Sequence, residues 1–168
     1  MAGRPLGASS RRMDLAPENV RNYPRPPALE AVPQRVRGIL GGAPAFDTAR
    51  ALRVLETHHA PTYYVPREDV SAELIAAAGR SICEWKGQAR YWDARAGGRT
   101  ARRAAWSYER PTARFAALAG HLAFYAGALD EAWVGGMRAR AQPGDFYGGW
   151  VTGNLSGIVK GGPGTEGW

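Results

Sequence analysis

From residue 34 onward, apolar and polar residues alternate with a period of two far more often than with a helical period, and this predicts a chain of strands. Val36, Ile39 and Leu40 run into the turn signal Gly41-Gly42, and Ala45-Phe46-Asp47-Thr48 reads as the return strand of a hairpin. Residues 51–55 set Leu52 and Val54 against Ala51, Arg53 and Leu55, again a strand, with Glu56 closing it. Thr62-Tyr63-Tyr64-Val65 is a short strand ended by Pro66. Residues 71–78 fit either a helical turn or an irregular strand edge. The clearest strands are residues 87–94 and 101–108, joined through Gly97-Gly98. One helix is expected at about 112–120, with Thr112 as N-cap and Phe115, Leu118, Ala119 and Leu122 spaced i, i+3, i+4, i+7. Further strands follow at 123–125 and 132–134, and Gly135-Gly136 turns the chain toward residues 137–141. This order predicts a mainly β fold: two antiparallel sheets in a tent-like or sandwich-like arrangement with one short helix.

Proline and glycine divide the chain. Residues 1–33 carry Pro24, Pro26, Pro27 and Pro33 among Arg, Gly and Ser, so they are expected to form an extended, partly disordered arm. Residues 34–141 form the β core domain. Residues 142–168 are a Gly- and aromatic-rich tail, with Phe146, Tyr147, Trp150 and Trp168, expected to pack on the core.

At 168 residues and 45% hydrophobic content, with six tryptophans, the chain suits one domain with a real core. The single cysteine, Cys83, excludes an internal disulfide and any Cys-x-x-Cys zinc clamp, so a reducing cytoplasm is the expected compartment. No apolar run suggests a signal peptide or a membrane span, so no membrane association is expected. The net charge of +7 invites a nucleic-acid partner, but the arginines are spread over the arm and the middle of the chain. They match no helix-turn-helix, zinc finger or aromatic RNA-binding signature, which argues for solvated faces instead. The pattern carries no signal for an oligomeric state.

Three motif-like features carry no cofactor or metal. Gly162-Pro163-Gly164-Thr165-Glu166-Gly167 matches a dinucleotide fingerprint literally, but only Trp168 follows it and no helix can receive a pyrophosphate. Glu56-Thr57-His58-His59 offers adjacent histidines that would point apart, and the remaining one, His121, belongs to the expected helix or its exit. Cys83 is a nucleophile only if a base finds it, and inert packing is the reading preferred for a cysteine.

The cation count is more informative. Two lysines, Lys86 and Lys160, stand against twenty arginines, and Lys86 lies inside the aromatic stretch Cys83-Glu84-Trp85-Lys86-Gly87-Gln88-Ala89-Arg90-Tyr91-Trp92. A lysine kept in an arginine-rich background points to a compact amine that guanidinium cannot replace. Lys86 is therefore the expected centre of a site. Glu56 is its expected carboxylate, as ion-pair partner or proton relay. By strand parity Trp92 shares a face with Lys86, and Tyr64 is preferred to Tyr63. Tyr64, Cys83, Trp92 and Trp106 then line an aromatic-walled cleft for a planar or anionic small molecule, with an enzymatic step left open. The alternative is a protein- or RNA-interaction module using the arginine-rich surface and the tail.

Arg25-Pro26-Pro27, Glu56, Tyr63-Tyr64-Val65-Pro66, Asp69-Val70, the string Cys83-x-Trp85-Lys86-Gly87-x-Ala89-x-Tyr91-Trp92, Ala105-Trp106-x-Tyr108 and Ala123-Phe124-Tyr125 together resemble a bacterial family known as domain of unknown function 427, sometimes given a nucleotidyltransferase-type name. Glu84 and Ala126 depart from it, each standing where the family commonly has proline. The resemblance implies a tent-shaped antiparallel β domain similar to methionine sulfoxide reductase B and the cereblon ligand-binding domain, with a ligand cleft between the sheets. The zinc site common in those relatives lacks its cysteines here. Neither a paired-aspartate metal site nor a phosphate loop supports the transferase label.

Overall fold

The computed structural model describes residues 14–144 and 146–168. Among the described residues fifteen strands follow in chain order: β1 (Glu18–Asn19), β2 (Ala28–Ala31), β3 (Val36–Leu40), β4 (Ala43–Thr48), β5 (Leu52–Leu55), β6 (Thr62–Pro66), β7 (Glu73–Cys83), β8 (Gly87–Ala96), β9 (Arg99–Ser107), β10 (His121–Phe124), β11 (Glu131–Val134), β12 (Met137–Arg138), β13 (Arg140–Ala141), β14 (Trp150–Val151) and β15 (Leu155–Ser156). A seven-stranded antiparallel sheet runs β2-β5-β6-β10-β9-β8-β7, and a four-stranded one runs β12-β11-β3-β4. The mainly β, antiparallel character predicted from the alternation is what the chain adopts.

The two sheets meet over one core. Val36, Leu40, Phe46, Ala132 and Val134 of the smaller sheet pack against Tyr63, Val65, Trp92, Ala94, Ala105, Leu122 and Phe124 of the larger. Phe46 and Phe124 stack at 4.6 Å. Gly38 is small for a reason: a Cβ there would overlap the Phe46 ring.

One local alternative is resolved and one expectation changes. Residues 73–78 belong to the long strand β7 at the edge of the larger sheet, the irregular strand edge of the two readings, with a register shift between Ala76 and Arg80 and Gly79 at φ 96°. A bulge of this kind reverses side-chain parity partway along a strand, which is why the alternation there reads ambiguously. The expected helix is instead a pair of tight 3-10 turns over Ala113–Leu118, broken at Phe115. Phe115 and Leu118 are buried as the spacing requires, but an i, i+3 pair fits three residues per turn as well as 3.6. Gly120, at φ 78°, then sends Leu122 into β10.

The described part of the arm is built into the fold. Ala28–Ala31 forms an edge strand against β5, and Glu18–Asn19 pairs in parallel with Leu155–Ser156 of the tail. Arg53 anchors it: its guanidinium, with only 8% of the side chain exposed, holds Glu18 Oε2 at 2.6 Å and Glu30 Oε1 at 2.7 Å. Tyr23 donates its hydroxyl hydrogen to Glu18 Oε1 at 2.6 Å. Burial is the largest influence on the Glu18 carboxyl and pushes its pKa up, but Arg53 and Tyr23 outweigh it and hold the pKa below the ordinary value. The disorder expected for the arm falls on residues 1–13, outside the described residues.

Candidate functional site

The outer face of the seven-stranded sheet, turned away from the four-stranded sheet, carries a second cluster of buried rings. Register creates it. Tyr64 pairs with Ala123, Ala123 with Trp106, and Trp106 with Tyr91, so one lateral row reads large, small, large, large across four strands. Ala89, Tyr91, Trp106 and Tyr108 point the same way. Above this row lies a cavity of about 250 Å³, walled on one side by the β7–β8 turn and on the other by the tail segment Phe146-Tyr147-Gly148-Gly149. The cleft expected between the sheets is therefore filled core. The hollow lies behind the larger sheet.

The tail reaches the sheet because two glycines let it. A Cβ on Gly148 would sit inside the Trp106 ring, and one on Gly149 would strike the Ala60 carbonyl and the Gln142 side chain. Trp150 locks the segment, donating its backbone N–H to the Pro61 carbonyl at 2.8 Å and its indole N–H to the Phe124 carbonyl at 2.8 Å.

Glu56, Tyr64, Cys83, Lys86 and Trp106 all line this cavity. Trp92 does not. It lies on the opposite face, within the inter-sheet core, its indole N–H donated to Ser107 Oγ at 3.0 Å and its ring covered by Arg90 at 4.4 Å. Strand parity joins it to Lys86 only if the strand begins at Lys86. β8 starts at Gly87, and Lys86 belongs to the preceding turn, to which the period of two does not apply.

That turn is held firmly. Thr112, expected as a helix cap, donates its backbone N–H to the Lys86 carbonyl at 3.1 Å and its hydroxyl hydrogen to the Trp85 carbonyl at 2.6 Å. Gly87 takes φ 112°, a conformation that disfavours any Cβ, and a Cβ would also press on the Arg110 carbonyl. The half-buried Lys86 extends over the Tyr108 ring, its Nζ 5.7 Å from the centroid.

Glu56 pairs with Arg25 at 3.3 Å and faces His59 Nε2 at 4.0 Å. No ion pair between Glu56 and Lys86 forms. Among the described residues, neither Lys86 nor Lys160 has a carboxylate within ion-pair distance, and every Lys or Arg ion pair is made by arginine.

The sequence offers His59 only as a weak metal ligand and the tail only as a segment packing on the core, and it gives Lys160 and Gln142 no site role. His58 and His59 do point apart, but in a turn: the His58 ring lies tilted against Trp168 at 4.6 Å and the His59 ring meets Tyr147 edge to face at 5.3 Å. Gln142 fixes the state of His59. Its Oε1 accepts the Ala60 N–H at 3.1 Å, so its Nε2 is the donor, serving His59 Nδ1 at 3.2 Å and the Lys160 carbonyl at 3.0 Å. Nδ1 is thereby an acceptor, and the ring is neutral with its hydrogen on Nε2. Burial above all lowers the His59 pKa below its ordinary value. Glu56 opposes this, while Lys160, Arg25 and Lys86 reinforce it. Lys160 Nζ stands 5.5 Å from the Tyr147 ring. The signal for Lys160 was present: the scarcity of lysine that singles out Lys86 applies equally to it.

The phenols of Tyr64, Tyr108 and Tyr125 stay protonated at neutral pH. Burial raises Tyr64 and Tyr108 well above the ordinary value, with Tyr108 and Cys83 as the respective next contributors, and pushes Tyr125 up to about 12. They line, as hydrogen-bond donors, a space that both lysine side chains line as well. Among the described residues no three His, Cys, Asp or Glu side chains gather to hold a metal ion. No helix among them is long and apolar enough to cross a membrane.

Fold and site together define a small antiparallel β domain with a buried aromatic cluster and a cavity on its outer sheet face. The model of a family described as Domain of unknown function (DUF427) matches residues 28–135, and the chain belongs to that family. The chain matches no curated protein.

Proposed function

We propose that the domain binds a planar, anionic small molecule in the cavity on the outer face of the seven-stranded sheet. One observation supports this above the rest. Both lysines of the chain line the cavity, while among the described residues none of the arginines does. The arginine preference of the chain is inverted at this cavity.

The chemistry of the walls fits such a ligand. Tyr64, Trp106 and Tyr125 offer ring faces and edges for a flat molecule, and Trp106 and Tyr125 already stand 4.5 Å apart. Lys86, Lys160 and the Nε2–H of His59 supply positive charge and donors. At about 250 Å³ the space lies just under the usual range of ~300–1,000 Å³ for ligand pockets, so the ligand is small.

The test is a thermal-shift comparison of planar aromatic carboxylates with their neutral isosteres. A carboxylate at ~100 times its Kd adds ~2.7 kcal/mol to stability, which for a chain of this size is a shift of roughly 5–10 °C. Stabilisation by carboxylates alone, weakened by salt, supports the proposal. Equal responses to charged and neutral compounds, or none to either, refute it.

A further inference from the structure

We infer that Lys86 captures a carbonyl-bearing ligand as a protonated imine inside this cavity. The inference rests on the binding reading above and names the functional group that the ligand carries.

Anion binding alone does not explain lysine here. Guanidinium binds carboxylates through a planar fork and does so elsewhere in this chain: Arg35 grips Asp47 with two nitrogens, and Arg53 grips Glu18. Twenty positions carry guanidinium, yet among the described residues none of them lines the cavity, which holds both amines instead. Besides being compact and lacking that fork, an amine can do what guanidinium cannot: shed a proton at accessible pH and attack a carbonyl carbon.

The two amines are placed for different tasks. Lys86 rises from a turn fixed by Thr112 and Gly87, so its backbone does not wander from the reacting position. Lys160 comes from the tail, on the wall that bears Tyr147, and its backbone is tied to His58 and Gln142. Lys160 holds the carboxylate of the ligand while Lys86 meets its carbonyl. The step balances without an oxidant or reductant. The Lys86 ammonium gives up a proton, and the free amine adds to the carbonyl carbon. The carbinolamine then takes up a proton and loses water, leaving a C=N bond with its nitrogen protonated.

The chain's composition makes the test clean, since only Lys86, Lys160 and the α-amino group can react. The folded protein is incubated with 4-formylbenzoate and sodium cyanoborohydride, and each reduced adduct is located by peptide mass spectrometry. Terephthalate, which has the same shape but no aldehyde, serves as competitor. The expected result is labelling of Lys86 at least ~10-fold faster than Lys160 and faster than Lys86 in urea-unfolded chain. Terephthalate slows it, and Lys86→Arg abolishes it. If terephthalate stabilises the protein but Lys86 reacts no faster folded than unfolded, the imine is refuted and the binding site stands. If terephthalate neither stabilises nor protects and Lys86 shows no preference, the binding reading fails with it.

Discussion

Gly148→Ala isolates the contact that closes the cavity. Gly148 does not occupy the left-handed region, so an alanine meets no backbone penalty there. What it meets is Trp106, whose ring occupies the place of the new Cβ. Trp106 is itself buried, packed against Tyr125 at 4.5 Å and paired across strands with Tyr91 and Ala123, so it cannot swing aside freely. Forcing a methyl into such packing costs ~1–3 kcal/mol. For a chain of this length each kcal/mol is worth ~2–4 °C, so thermal unfolding followed by circular dichroism should show a fall of roughly 2–12 °C. The cause is checked by a double-mutant cycle with Trp106→Leu. Shortening the ring removes the obstacle, and the double variant should recover most of the alanine penalty, with a coupling of ~1–3 kcal/mol. Strictly additive effects, or an unchanged melting temperature for Gly148→Ala, would refute the claim that the tail lies directly on the Trp106 ring.

Arg53→Met leaves Glu18 and Glu30 without their guanidinium, and because Glu18 is only partly buried the loss should be near ~3 kcal/mol by urea unfolding; less than ~1 kcal/mol would show that the arm is not anchored there. His59 has a folded pKa below the ordinary 6.5, so the unfolded chain binds the extra proton first. Its stabilising contribution is therefore complete above 6.5 and is lost as pH falls from 6.5 through the folded pKa, which denaturant midpoints between pH 7 and pH 5 will show as a slope absent in His59→Phe. Gln142→Leu removes the N–H that occupies Nδ1 and should raise the His59 pKa in an NMR titration; an unmoved titration would contradict the assigned tautomer.

Much of the larger sheet was legible because Gly87–Ala96 and Arg99–Ser107 are long segments rich in β-forming residues with a glycine pair between them, although a bulge at Arg103, φ 47°, shifts their register. β7 was not, since the irregularity around Gly79 shifts its register in mid-strand. Glu56, Tyr64, Cys83, Lys86 and Trp106 were named from residue chemistry and strand phase, and they share one cavity. Trp92 was misplaced by a single residue of phase at the start of β8, enough to carry a side chain to the other face. His59 depends on Gln142, which lies 83 residues further along, and on a tail that folds back through Gly148 and Gly149. Local periodicity contains no trace of such contacts. They arise from packing that only the assembled sheet provides.

Isothermal titration of the protein with terephthalate, beside 1,4-benzenedimethanol as its neutral counterpart, probes the lysine-bearing cavity most directly. With about twelve non-hydrogen atoms at ~0.3 kcal/mol each, terephthalate should bind with a Kd of roughly 2 mM or tighter, at one site, and at least ~10-fold better than the diol. Terephthalate giving no more heat than the diol would contradict the account.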